Sequence, residues 1–120
     1  MDCLFCKIVN GEIPCYKIYE DEVVIAFLDI NPKTNGHTLI VPKKHTLDLE
    51  SIDIDTATHI IKVAKEISQT LVKKLNADGI ALLQNNGILQ EVKHFHLHLI
   101  PSYKIKIANS PVEEIYNILK

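Results

Sequence analysis

The hydrophobic pattern changes period several times along the chain, and each change marks an element. Apolar residues at helical spacing in Cys3-Leu4-Phe5-Cys6-Lys7-Ile8-Val9 predict a short helix that Asn10-Gly11 should stop. After Ile13-Pro14, the segments Tyr16–Glu20 and Val23–Leu28 read as two strands joined by a tight turn around Glu20-Asp21-Glu22. The second is almost continuously apolar and should be central. Thr34-Asn35-Gly36 turns into a third strand, His37–Pro42. Ala57, Ile60, Ile61, Ala64, Ile67, Leu71, Val72 and Leu75 then recur at helical spacing, predicting one long helix from about Thr56 to Leu75, capped by Asp53 or Asp55. Ile80–Leu83 reads as a fourth strand and His94–Pro101 as a fifth. Ser110-Pro111 opens a final short helix with Val112, Ile115, Tyr116 and Leu119 on its apolar face. This order predicts an α+β fold with a mainly antiparallel five-stranded sheet, one long helix and short terminal helices.

The fifth strand concentrates the chemistry. His94, His96 and His98 alternate with Phe95, Leu97 and Leu99, so a strand period of two puts three imidazoles on one face and three apolar side chains on the other. Three readings compete for the imidazole face: a solvated alternating strand, a three-histidine catalytic zinc site, and a nucleophilic imidazole oriented by its neighbours. The zinc reading needs convergent ligands, whereas one strand sets its side chains in a row.

Composition narrows the partners. With 120 residues, 47% hydrophobic and 23% charged, the chain fits one soluble domain over residues 1–120, with a core at about 3–101 and a tail helix at about 111–119. A net charge of -2 with interspersed signs gives no basic footprint for nucleic acid. Apolar runs are too short for a membrane span, and Met1-Asp2 lacks a signal-peptide start, so a reducing cytoplasmic setting is expected. Of three cysteines, Cys3 and Cys6 form a Cys-x-x-Cys pair with no preceding strand, which favours zinc over thioredoxin-like redox chemistry and calls for two further ligands. Cys15 reads as a small buried hydrophobe. His37, His45 and His59, taken singly, need no role. Asp29, before Ile30-Asn31-Pro32, is either a turn former or an acceptor for sugar hydroxyls, and the residues alone favour the turn.

The run His94-Phe95-His96-Leu97-His98-Leu99-Ile100 resembles the signature of the histidine triad (HIT) superfamily, and the resemblance extends from Cys3 to Pro101, nearest to the Hint-like branch of nucleotide phosphoramidases and hydrolases. It implies a homodimer with one continuous sheet, and a purine-nucleotide hydrolase acting through a nucleotidyl-histidine. His96 would be the nucleophile, His98 would lie near the leaving group, and His37 would support the triad. It further implies structural zinc on Cys3, Cys6, His45 and His94, the histidine after Pro42-Lys43-Lys44 completing the set. A nucleoside pocket would comprise Leu4, Phe5, Ile8, Phe27 and Ile30, with Asp29 at the ribose, which reverses the turn reading, and Asn85 and Gln90 at the phosphate. Where the family commonly has Gly-Gln-Ser-Val, this chain has Leu89-Gln90-Glu91-Val92, which sets a carboxylate, Glu91, at the phosphate side. Dinucleoside polyphosphates are the alternative substrate, and a non-catalytic nucleotide-binding scaffold is the rival function.

Overall fold

Five strands form one antiparallel sheet in the order β1-β2-β3-β5-β4, with β1 Lys17–Glu20, β2 Val24–Leu28, β3 Thr38–Pro42, β4 Gly79–Leu83 and β5 Leu97–Ser102. This computed structural model describes residues 3–120. The long helix α2 (Ile54–Leu75) covers one face, packing Ile60, Val63, Ala64, Ile67 and Leu71 against Val24, Ala26, Leu28 and Ile40. The short helix α1 (Leu4–Val9) covers the other through Phe5, which joins Ile25, Phe27, Leu39 and Val41. Covered on both faces, β2 and β3 are buried at every position, which is why their sequences are nearly unbroken apolar runs. Each buried aliphatic side chain contributes about 1.5–3 kcal/mol. Helix propensities differ by at most about 0.7 kcal/mol per ordinary residue, so packing decides where α2 lies.

The apolar stripe of α2 differs from the expected one at three positions. Val63 is 1% exposed, whereas Ile61 and Val72 are 55% and 45% exposed. Residues 60, 63, 64, 67 and 71 follow one line along the helix, and 61 and 72 each step about 100° off it. The helix also starts two residues before Thr56, because Asp53 is the cap: its Oδ2 accepts the Thr56 N–H at 3.0 Å. The last helix, α3 (Val112–Leu119), buries Ile115 and Leu119 in the α2 cluster. Pro111 rather than Ser110 takes its cap position, and the Ser110 N–H donates to Asn35 Oδ1 at 2.8 Å.

The histidine stretch departs from the expected strand. The β5 ladder begins at Leu97, opposite Ile40, so only His98 of the three imidazoles lies within it. Upstream, the backbone pairs with the segment leaving β3: the Phe95 N–H donates to Thr46 O at 2.7 Å. The alternation nevertheless persists. Phe95, Leu97 and Leu99 enter the α2 cluster, while the rings of His94 and His96 lie edge-on to Phe5 of α1, with centroids 5.9 Å and 5.0 Å away.

The loop before β3 is fixed from several sides. Gly36 has φ +89°, and a Cβ there would sit 2.6 Å from Leu75 Cδ1, so only glycine lets His37 approach the end of α2. Thr34 Oγ1 donates to Pro101 O at 2.6 Å, and Tyr103 Oη donates to Asn35 O at 2.7 Å. Strands β1 and β4 form the sheet edges, and Leu82 on β4 is 52% exposed. Among the described residues, no helix is long and apolar enough to cross a membrane.

Candidate functional site

Two clusters of titratable side chains meet at the start of β5. In the first, Cys3 caps α1, Cys6 lies one turn on, His45 follows β3, and His94 precedes β5. Cys3 Sγ lies 3.3 Å and Cys6 Sγ 3.6 Å from His94 Nδ1, and Cys6 Sγ lies 3.2 Å from His45 Nδ1. The four donor atoms all fall within 4.8 Å of one another. In a tetrahedral zinc site with Zn–S about 2.3 Å and Zn–N about 2.0 Å, the sulfur–nitrogen edge is about 3.5 Å, so the set is already close to ligand spacing. The tautomer fits as well. His94 Nε2 lies 2.8 Å from Pro42 O, an acceptor only, so the proton sits on Nε2 and the Nδ1 lone pair faces the sulfurs. Burial lowers the His94 pKa, keeping the ring neutral, as a metal ligand must be.

The second cluster comprises Asp29, His37, His96 and His98. The Lys33 backbone N–H donates to His37 Nδ1 at 3.1 Å, which leaves the neutral ring its proton on Nε2. That Nε2–H donates to His98 Nδ1 at 2.9 Å, so His98 carries its own proton on Nε2. Asp29 Oδ2 stands 3.7 Å from His37 Nε2. His96 Nδ1 lies 2.8 Å from the His94 carbonyl and must donate to it, leaving Nε2 with a lone pair. The rings of His96 and His98 are 4.9 Å apart. Burial, helped by the neighbouring His96 and His37 rings, takes the His98 pKa down to about 4. Burial also lowers His37, against the opposing charge of Asp29. Both rings are therefore neutral at pH 7.

This cluster stands between two cavities. An apolar one of about 230 Å³ is floored by Leu4, Phe5 and Ile8 of α1 and walled by Phe27, Leu39 and Ile30. A polar one of about 220 Å³ is lined by Lys33, His37 and Asn85 among others. Asp29, Asn31, Glu91, His96 and His98 line both. The apolar chamber suits a planar heterocycle and the polar chamber a charged or hydrogen-bonding group, and His96 lines both.

The chain thus brings together Cys3, Cys6, His45 and His94 in one cluster, and His37, His96, His98 and Asp29 in the other. Leu4, Phe5, Ile8, Phe27, Ile30 and Glu91 line the apolar chamber, and Asn85 the polar one. Gln90 lines neither: its Nε2 donates to Leu47 O at 2.7 Å, so the buried amide ties two loops together. Asp29 does two things at once, since Oδ1 accepts the Asn31 N–H at 2.8 Å, as a turn former would, while Oδ2 faces His37. Ile13, Pro14, Cys15, Leu39 and Val92 line the apolar chamber without having been singled out by pattern, because a cavity wall and a core position carry the same apolar signal. Lys33 is a surface lysine by sequence and becomes a chamber residue only through the turn at Gly36.

Known proteins share this architecture. The HIT domain matches residues 10–105 of the chain. A HIT-like protein of unassigned function from Methanocaldococcus jannaschii is 51% identical over 104 residues, covering 85% of this chain and 80% of that protein. An adenosine 5'-monophosphoramidase of Saccharomyces cerevisiae is 45% identical over 117 residues, covering 93% of this chain and 72% of the enzyme. Among solved structures, a zinc-bound histidine triad family protein from Mycobacterium smegmatis superposes with a TM-score of 0.91 at 39% identity, covering 99% of this chain and 91% of that one.

Proposed function

The chain belongs to the HIT domain family, and from that premise we propose that it hydrolyses purine-nucleotide conjugates at the α-phosphate, above all adenosine phosphoramidates. The observation that carries this reading is the His96 side chain: its Nδ1–H is committed to the His94 carbonyl, which leaves Nε2 with the lone pair, and the residue lines both the apolar and the polar chamber. The base enters the apolar chamber over Phe5 and Phe27, Asp29 accepts from the ribose hydroxyls, and the leaving group occupies the polar chamber beside Asn85.

In the first step His96 Nε2 forms a bond to phosphorus, and the P–N bond breaks with its electron pair going to the departing nitrogen, which takes a proton from water. His98 Nε2–H hydrogen-bonds the departing atom, and His37 holds His98 in that tautomer. In the second step a water oxygen bonds to phosphorus, the Nε2–P pair returns to His96, and the water gives up one proton to solvent. One water is consumed, one P–N bond is lost and one P–O bond is gained.

Cys3, Cys6, His45 and His94 would hold zinc. With four protein donors the site is closed, so the metal supplies a cross-link between α1 and the histidine stretch and no activated water. The relative of known structure described as zinc-bound supports this reading. Homodimerisation is part of the same proposal. Edge strand β4 presents unpaired backbone groups beside exposed Leu82, and two-fold pairing would cover both. Sedimentation at micromolar concentration is expected to give twice 13.6 kDa, and a lone monomer refutes it.

Incubation with an adenosine phosphoramidate, followed by alkaline quench and mass analysis of peptides, tests the function. AMP release with an adenylyl group on His96 is the expected result. Turnover confined to dinucleoside polyphosphates reassigns the substrate, and tight nucleotide binding with no turnover of either class makes the protein a scaffold.

A further inference from the structure

Asp29 and Glu91 are the carboxylates that line both chambers, and they differ in how they are engaged. Asp29 is tied by the Asn31 N–H and faces His37. The exposed Glu91 carboxylate has no hydrogen bond or ion pair among the described residues. Lys93, two residues on, is engaged elsewhere, with Nζ donating to Gly87 O at 2.8 Å. Lys33 is the ammonium lining the polar chamber, so two carboxylates there oppose one cation while the imidazoles of His37 and His98 stay neutral.

We propose that Glu91 is a specificity-determining residue: it favours conjugates whose leaving group carries a positive charge beyond the scissile bond, such as aminoalkyl amines, and disfavours anionic leaving groups. The inference rests on the hydrolytic reading above. The nucleoside is uncharged and the phosphoryl charge is common to all conjugates, so the leaving group is the part whose charge varies. An unpaired carboxylate bordering its chamber therefore acts as a filter on that charge. Its repulsion of the common phosphoryl group lowers turnover of every conjugate, and a cation on the leaving group offsets that loss.

Three adenosine phosphoramidates with the same four-carbon chain isolate the effect: those of diaminobutane, butylamine and γ-aminobutanoate, which end in an ammonium, a methyl and a carboxylate. For the unmodified protein, kcat/KM is expected to fall in that order by about five- to tenfold per unit of charge at low salt. Glu91→Gln should compress the series to within about twofold, and Glu91→Ser should raise the butylamine conjugate several-fold. A flat series, or an order that survives Glu91→Gln, overturns the proposal. Calorimetric binding of the same three compounds to His96→Ala gives the ranking without turnover. Absence of hydrolysis by the unmodified protein then counts against the proposed reaction, whereas absence of a Glu91-dependent charge ranking in binding counts against Glu91.

Discussion

His94 and His96 are two residues apart, both buried and both edge-on to Phe5, yet they turn opposite nitrogens to their surroundings. His94 gives its Nε2–H to Pro42 and presents an Nδ1 lone pair to two thiols. His96 gives its Nδ1–H to the His94 carbonyl, keeps its lone pair on Nε2 and lines both chambers. Side-chain type therefore assigns neither role. The backbone acceptor behind each ring does, by choosing the nitrogen that remains free.

The comparison breaks most visibly at His96. His96→Ala is expected to reduce hydrolysis by roughly a thousandfold or more while leaving zinc content unchanged, measured by turnover and elemental analysis on one preparation. Retained turnover would move the nucleophile elsewhere. On the other side, Cys3→Ser should lose the metal and lower Tm by roughly 10 °C or more, because ligation energy is folding energy. Unchanged zinc and Tm would remove Cys3 from the metal set.

A pH series separates the imidazoles further. His98 titrates at about 4 in the folded chain against an ordinary 6.5, so the unfolded state binds more protons between those values. Its contribution to stability is complete above about 6.5 and is lost as pH falls toward 4, with His37 acting in the same direction. Denaturant midpoints should therefore drop across that window, and His98→Gln should flatten the drop. Asp29→Asn gives the smallest expected effect. The amide oxygen can still accept the Asn31 N–H, so Tm should hold while KM for the nucleotide rises by roughly three- to tenfold. A fall in Tm with KM unchanged would make Asp29 a turn residue alone.

Much of this was legible in the pattern. The sheet, the long helix, the alternation of histidines with Phe95, Leu97 and Leu99, and the need of Cys3 and Cys6 for two further ligands follow from period and spacing, whereas His45 and His94 as those ligands come from the family resemblance. What was not legible depends on tertiary neighbours. The β5 ladder starts at Leu97, opposite Ile40, although β3 runs on to Pro42, and chain pairing is invisible to a single-strand pattern. Val63 and Ile61 are both β-branched and apolar, and only the direction of the sheet decides which is buried. Gln90 has the composition of a phosphate ligand but faces the Leu47 carbonyl, and Cys15 has the composition of a core residue but borders the apolar chamber. Turn former and ligand look like alternatives for Asp29 in the sequence, but a carboxylate has two oxygens, and here Oδ1 closes the turn while Oδ2 faces His37.

Helix α1 has six residues, fewer than a helix needs to persist alone in water, and its cap is Cys3. The floor of the apolar chamber, Leu4, Phe5 and Ile8, therefore rests on an element that is ordered only while its ends are held. On the proposed reading, thiol ligation and nucleoside binding draw on the same ordered helix, which makes them reciprocal: each must tighten the other by the same factor. A chelator would then weaken nucleotide affinity, and bound nucleotide would slow metal loss, although the four donors and the base never touch.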